Sequence, residues 1–209
     1  MSQLLYIQAS PRSERSHSIA VANAFVEAYT KAHPQDRIVT MNLFQEPIPT
    51  FDGLAVQAKY DIMHGRAKDP ASAKVWSQVE KTIQQFTAAD KYVLAVPMWN
   101  FGVPYRLKQY LDVIVQPGYT FTVSAAGYQG LVKGKPALVV YSRGGQYSQG
   151  SGGEAYDLQS KYMDLILRFI GFEKIQGITV EPTLVGGPDA AKAAQDLAIQ
   201  QARQLAAGF

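Results

Sequence analysis

The sequence predicts an α/β domain built on a doubly wound, five-stranded parallel sheet in the order 2-1-3-4-5. Three observations lead there. Short β-type apolar runs alternate strictly along the 209 residues with stretches of helical periodicity, the pattern of right-handed β-α-β crossovers. The central runs Tyr92–Pro97 (YVLAVP) and Ala137–Tyr141 (ALVVY) are apolar almost throughout, as strands covered by helices on both faces must be. The segments able to carry chemistry follow the first, third and fourth runs. Open sheets bind ligands at such carboxyl ends where the strand order reverses, which favours 2-1-3-4-5 over the other common doubly wound order.

The elements follow in turn. Leu4–Ala9 (LLYIQA) is the first strand, closed by Ser10-Pro11. Ile19, Ala22, Phe25, Val26 and Tyr29 recur at helical spacing after a serine-rich start, giving a helix over Ser16–His33. Arg37–Leu43 (RIVTMNL) alternates more and suits a strand nearer a sheet edge. A short helix is predicted over Leu54–His64, then a longer one marked by Val75, Val79, Ile83 and Phe86. After the third strand, Val103, Leu107, Leu111 and Ile114 mark the next helix. After the fourth strand, Leu158, Met163, Leu165, Ile166 and Phe169 mark another, stopped by Gly171. Ile175–Val180 is the fifth strand, and Pro188–Ala207 an alanine-rich last helix. Neither an internal repeat nor a linker composition interrupts this order, so residues 1–209 read as a single domain.

Composition narrows the function. At 47% hydrophobic and 18% charged, the chain can bury a sizeable core. No apolar run reaches the ~18 residues of a membrane span. Met1–Ile7 lacks a basic region and a cleavage site, so no signal peptide and a cytoplasmic location are expected. With no cysteine there is no thiol nucleophile, disulfide or Cys-ligated metal; His17, His33 and His64 are too scattered for a histidine metal site. The net charge of +3 comes from interleaved charges rather than a basic run, so neither nucleic acid nor a membrane is an expected partner. Catalysis must then rest on hydroxyls, amides, backbone groups and a bound organic cofactor.

Three segments supply those groups. Ser10-Pro11-Arg12-Ser13-Glu14-Arg15-Ser16-His17-Ser18 leads from the first strand into a helix. Its hydroxyls, guanidinium groups and helix N-terminus form a cradle for phosphate. A lone serine there would be an ordinary N-cap; the cluster exceeds that need. It is neither a G-K-[ST] phosphate loop nor a G-x-G-x-x-G turn. Pro97-Met98-Trp99-Asn100-Phe101 follows the third strand and offers an apolar wall with polar edges, suited to a planar heterocycle. Ser142-Arg143-Gly144-Gly145 follows the fourth, with two glycines that let backbone approach a ligand. Gly150-Ser151-Gly152-Gly153-Glu154-Ala155 imitates a dinucleotide fingerprint but stands too far beyond its strand. The long connections Phe44–Ser72, Pro117–Pro136 and Arg143–Gly153 carry exposed aromatics of the kind that build a lid or partner surface.

Taken together, S-x-R-x-x-x-S-x-S, P-M-W-N-F and S-R-G-G resemble the motifs of the FMN-dependent NADH-azoreductases, a branch of the flavodoxin-like quinone reductases, over essentially the whole chain. The resemblance implies a flavodoxin-like fold and a homodimer with one non-covalent FMN per subunit at the subunit interface. Ser10, Ser16, His17 and Ser18 would hold the FMN phosphate with Arg12 beside them. Pro97, Met98, Trp99, Asn100 and Phe101 would border the ribityl chain and ring, and Ser142, Arg143, Gly144 and Gly145 the pyrimidine rim. Phe121 and Phe169 would stand in the substrate pocket. Val123 occupies a place where some relatives carry a pocket tyrosine, a departure that bears on substrate stacking. The implied chemistry is a ping-pong, two-electron reduction of azo, quinone or nitroaromatic substrates by NADH or NADPH, the hydride passing through flavin N5, with no metal and no catalytic side chain. The competing reading is a flavodoxin-type electron carrier or regulatory flavoprotein without its own substrate. Carriers tend to be short and acidic, whereas the pI near 9.0 and the three aromatic-bearing connections fit a substrate pocket. A hydrolase would need a G-x-S-x-G elbow, which the sequence lacks.

Overall fold

In the computed structural model, which describes residues 1–67 and 69–209, the central apolar runs become strands whose alternate side chains enter two different cores. Lys68, within the long Phe44–Ser72 connection, lies outside the described residues. In β1 (Gln3–Gln8), Leu5 and Ile7 pack into one core, while Leu4 and Tyr6 pack into the other. The same division runs through β3 (Lys91–Pro97), with Leu94 and Val96 on one side and Val93 and Ala95 on the other. This is why these runs do not alternate in polarity: neither face meets water.

The elements appear in the order β1, α1 (His17–Ala32), β2 (Arg37–Asn42), α2 (Gly53–Met63), α3 (Pro70–Thr87), β3, α4 (Tyr105–Ile114), β4 (Phe121–Ser124), β5 (Gly127–Gly130), β6 (Pro136–Ser142), α5 (Leu158–Ile170), β7 (Lys174–Val180) and α6 (Gly187–Ala206). Five strands form one parallel sheet in the order β2-β1-β3-β6-β7. This is the predicted 2-1-3-4-5 order; the numbers differ because an additional hairpin, β4-β5, intervenes in the chain. Residues from α3, α4 and α5 build one core and residues from α1 and α6 the other.

That hairpin corrects the reading of Pro117–Pro136 as a connection without strands. Phe121–Ser124 and Gly127–Gly130 pair antiparallel across Ala125-Ala126, a turn without the Asn-Gly or Asp-Gly signal that marks a hairpin in sequence. The hairpin docks on the end of α5 through Val132 N–H to the Ile170 carbonyl (2.8 Å). The approach is so close that a Cβ on Gly130 would stand 2.2 Å from the Gly171 nitrogen.

Helix starts show a second pattern. Asp52 caps α2, Asp69 caps α3 and Asp157 caps α5, each carboxylate accepting first-turn amides. The Asp69-Pro70 pair also explains why α3 begins before the predicted Val75, since Pro is favoured at the first helical position. Ser16 precedes α1 but makes no side-chain cap bond.

Candidate active site

Because the sheet is parallel, β1, β3 and β6 release their chains at one edge. Gln8 lies opposite Ala95, and Pro97 opposite Ser142. The three segments singled out from sequence therefore leave adjacent strands side by side. Ala9 N–H donates to Ala95 (3.0 Å) and Met98 N–H to Ser142 (2.8 Å), which carries the pairing just past the strand ends.

The first segment makes a short turn, with Ser13 at φ 47°, before entering α1. Ser10, Ser16 and Ser18 are buried, and the Ser16 and Ser18 hydroxyls lie 3.2 Å apart. Among the described residues no side chain caps the first-turn amides of α1, so the positive end of a 16-residue helix stays open beside these hydroxyls. A carboxylate cap like that of α2 or α3 would itself occupy the place of an anion. Arg12 is exposed next to this opening. The His17 ring instead turns toward α6, with Nδ1 2.5 Å from the Gln195 amide oxygen; at this position the backbone, rather than the imidazole, faces the helix opening.

The second segment forms a tight two-residue turn. Trp99 and Gly102 exchange both backbone hydrogen bonds (3.0 and 2.9 Å), and the central residues Asn100 and Phe101 have φ of 47° and 69°. This primed geometry is ordinary for Asn but strained for Phe. It stands Phe101 out from the edge, 44% exposed, with Tyr156 5.2 Å away ring to ring and Tyr147 6.3 Å away. Trp99, by contrast, leans on Phe44 and Tyr105. Between this turn, Thr50-Phe51 and α4 lies a cavity of about 750 Å³, within the range of small-molecule sites. A separate cavity of about 610 Å³, lined by Pro47, Pro49, Lys81 and Tyr110 among others, includes no residue of the three segments.

The third segment is ordered by its carbonyls. Arg143 C=O accepts from Thr183 N–H (2.8 Å) and Thr183 Oγ1 (2.9 Å), and Gly144 C=O accepts from Leu184 and Val185 N–H (both 3.0 Å). A planar trans peptide directs its N–H opposite to its C=O. The Gly144 and Gly145 amides therefore face away from the chain that follows β7. Neither amide has a protein acceptor among the described residues.

A Cβ at Gly144 would come within 2.9 Å of Leu184 Cδ1, the far end of an exposed side chain that can move aside. The Arg143 side chain is buried and turned inward. Its Nε donates to Gln159 (3.0 Å), its Nη2 to Asp157 (2.9 Å) and its Nη1 to Glu181 (3.4 Å). Only its backbone remains at the edge. Burial pushes the neighbouring Tyr141 phenol upward, with Arg143 over its ring opposing weakly. It is thus neutral and no acid near neutral pH.

Phe121 of β4 and Phe169 of α5, far apart in sequence, meet at 4.8 Å between ring centroids. Tyr128 of β5 completes the group, 5.5 Å from Phe169 and 6.1 Å from Phe121. Sequence reasoning missed Tyr128 as a member because the hairpin that folds it back went unseen. Val123, on the same hairpin, is exposed.

Comparison with known proteins fits this arrangement. A family described as having a flavodoxin-like fold matches residues 2–206. An FMN-dependent NADH:quinone oxidoreductase of Nitratidesulfovibrio vulgaris is 49% identical over the full length of both chains. Another so named, from Desulfotalea psychrophila, is 48% identical over 88% of this chain and 87% of its own. Among solved structures, an azoreductase from Bacillus anthracis superposes with a TM-score of 0.91 at 27% identity, covering all of both chains. An FMN-dependent NADH-azoreductase from the same species, solved in complex with FMN, gives 0.87 at 29% identity over 99% of this chain and all of its own. The chain belongs to the flavodoxin-like family, in its branch of FMN-dependent NADH:quinone oxidoreductases and azoreductases.

Proposed function

We infer that this protein is an FMN-dependent NAD(P)H oxidoreductase that reduces quinones and azo compounds by two electrons. The observation that carries the reading is a convergence at one sheet edge: an uncapped, hydroxyl-lined helix N-terminus, an aromatic turn, and two outward amides. These three features correspond to the phosphate, the ring and the polar rim of a flavin mononucleotide, and the donor set fits that group.

In this reading Ser10, Ser16, Ser18 and the open amides of α1 bind the phosphate, with Arg12 as a nearby counter-charge and His17 contributing backbone. Pro97–Phe101 flank the ring. The Gly144 and Gly145 amides, with Asn100, stabilise negative charge at the pyrimidine rim. Ser142 and the Arg143 backbone hold that turn in place. Phe121, Phe169 and Tyr128 form an aromatic surface for a planar acceptor. Bound FMN supplies a centre that takes hydride from NADH or NADPH and passes two electrons to the acceptor. Donor and acceptor would use one pocket in turn, the ping-pong order, and nitroaromatics fit the same aromatic surface.

A homodimer supports this site. Val56, Tyr60 and Met63 form one exposed apolar stripe on α2, a surface that a second copy would cover. No helix among the described residues is long and apolar enough to cross a membrane.

The test is the visible spectrum of purified protein supplied with FMN, before and after one equivalent of NADH without oxygen. Flavin bands should bleach in one step and return on addition of a quinone. A colourless protein that neither takes up FMN nor oxidises NADH would remove the reading entirely.

A further inference from the structure

Arg143 stands in a motif that borders the proposed flavin site, yet its side chain is almost wholly buried and directs its donors to Gln159, Asp157 and Glu181. Glu181 has further contacts. Its Oε2 accepts from Tyr147 N–H (3.0 Å) and its Oε1 from Ser148 N–H (2.9 Å). The turn after β6 is thus gripped twice: its early carbonyls by Thr183–Val185, and its later amides by the Glu181 carboxylate. The Gly144 and Gly145 amides belong to the first-gripped peptides, and the Glu181 grip follows two residues later in the same turn.

We propose that Glu181 and Arg143 are positioning residues for the reaction: Glu181 clamps the Tyr147 and Ser148 amides, Arg143 anchors Glu181, and together they hold the Gly144 and Gly145 amides on the pyrimidine rim of bound FMN. The proposal rests on the FMN reading above. Arg143 balances only one of the carboxylates of Asp157 and Glu181, so the buried cluster carries a formal charge of −1. The cluster therefore offers no net positive charge to a reduced flavin. The help must come from aimed amides, which sit on a turn held at its start by Thr183–Val185 and at its end by the Glu181 clamp.

The two contributions have opposite signs, which makes the proposal testable. Glu181→Gln keeps the shape but loses one acceptor oxygen and the charge. If the clamp matters, amide hydrogen exchange at Tyr147 and Ser148 in FMN-free protein accelerates by about tenfold or more, the scale of a lost charge-assisted hydrogen bond. FMN then binds more weakly, and its reduced form loses most. The two-electron potential moves negative, by about 30 mV for each tenfold difference between the two forms. Loss of negative charge with the amides still aimed would move it positive.

Glu181→Asp, which keeps the charge and shortens the arm, should also shift the potential negative; it serves as well if the glutamine variant folds poorly. Asp157→Asn disturbs Arg143 but leaves both Glu181 amide bonds, and should speed exchange at Tyr147 and Ser148 less than Glu181→Gln does. Unchanged exchange in Glu181→Gln, equal exchange in Glu181→Gln and Asp157→Asn, or a positive shift in potential overturns the proposal. If unaltered protein fails to bind FMN, the functional reading falls instead, and exchange in the FMN-free variants still decides whether the clamp exists.

Discussion

At the scale of single residues, the turn after β3 trades backbone strain for the placement of an aromatic ring. Phe101 at φ 69° stands in a region that L-residues avoid, at a cost of roughly 1–2 kcal/mol. Glycine would remove that strain but add about 0.5–1 kcal/mol of freedom to the unfolded chain. Phe101→Gly should therefore leave urea-unfolding stability within about 1 kcal/mol of the parent, while FMN affinity measured by fluorescence quenching falls about tenfold with the lost ring contact. A stability loss of several kcal/mol would mean that packing on Tyr156 and Tyr147 outweighs the strain. Residue types at this site were legible in the sequence, but their orientations were not. Arg143 and His17 carry groups suited to an anion, yet their partners, Glu181 and Gln195, lie 38 and 178 positions away. Only the folded chain reveals that these side chains are already committed.

At the scale of elements, the sheet strands and principal helices were legible because their periodicities were clean, while the β4-β5 hairpin was hidden by a turn without glycine or asparagine at its centre. Its docking on α5 yields a direct prediction. Gly130→Ala would force a Cβ to within 2.2 Å of the Gly171 backbone, so the hairpin must move. Because Phe121 and Tyr128 ride on it, the KM for a planar quinone should rise severalfold, with kcat less affected.

A second junction ties the start of β1, the end of α1 and the approach to β2 through Asp36. Its carboxylate accepts from Ser2 N–H and Tyr29 Oη, both at 2.6 Å. The Ser2 amide first, then the Tyr29 hydroxyl, hold this carboxyl below the usual range. A depressed value in the folded state gives stability that is present above the unfolded value of ~3.9 and lost as pH falls through the folded value. Asp36→Asn should therefore be less stable than the parent at pH 7, with the gap closing as urea unfolding is repeated below pH ~4. A gap independent of pH would assign the effect to geometry alone.

At the scale of the whole molecule, the site follows from a single choice, the parallel sheet. Parallel strands put every carboxyl end at one edge, and helices that return from those ends begin there with their positive termini. Among the helices that start just beyond a strand of the proposed site, α1 combines an uncapped first turn with buried hydroxyls. The molecule should therefore discriminate FMN from riboflavin, which carries the same ring without the phosphate. FMN at a hundredfold excess over its dissociation constant should add about 2.7 kcal/mol to folding stability. For a chain of this size that raises the melting temperature by roughly 5–10 °C. Riboflavin at the same concentration should raise it much less.

Ser18→Ala removes a hydroxyl that is fully buried and has Ser16 Oγ as its neighbour. It should lower the ligand-free melting temperature by only a few degrees, as Ser16 Oγ loses its neighbour, but erase most of the advantage of FMN over riboflavin, about tenfold in affinity for one lost hydrogen bond to a charged group. Equal weakening toward both ligands would move the serine cluster away from the phosphate and toward the ring. That result would leave the uncapped end of α1 without an assigned anion and reverse the direction in which the flavin lies along the edge.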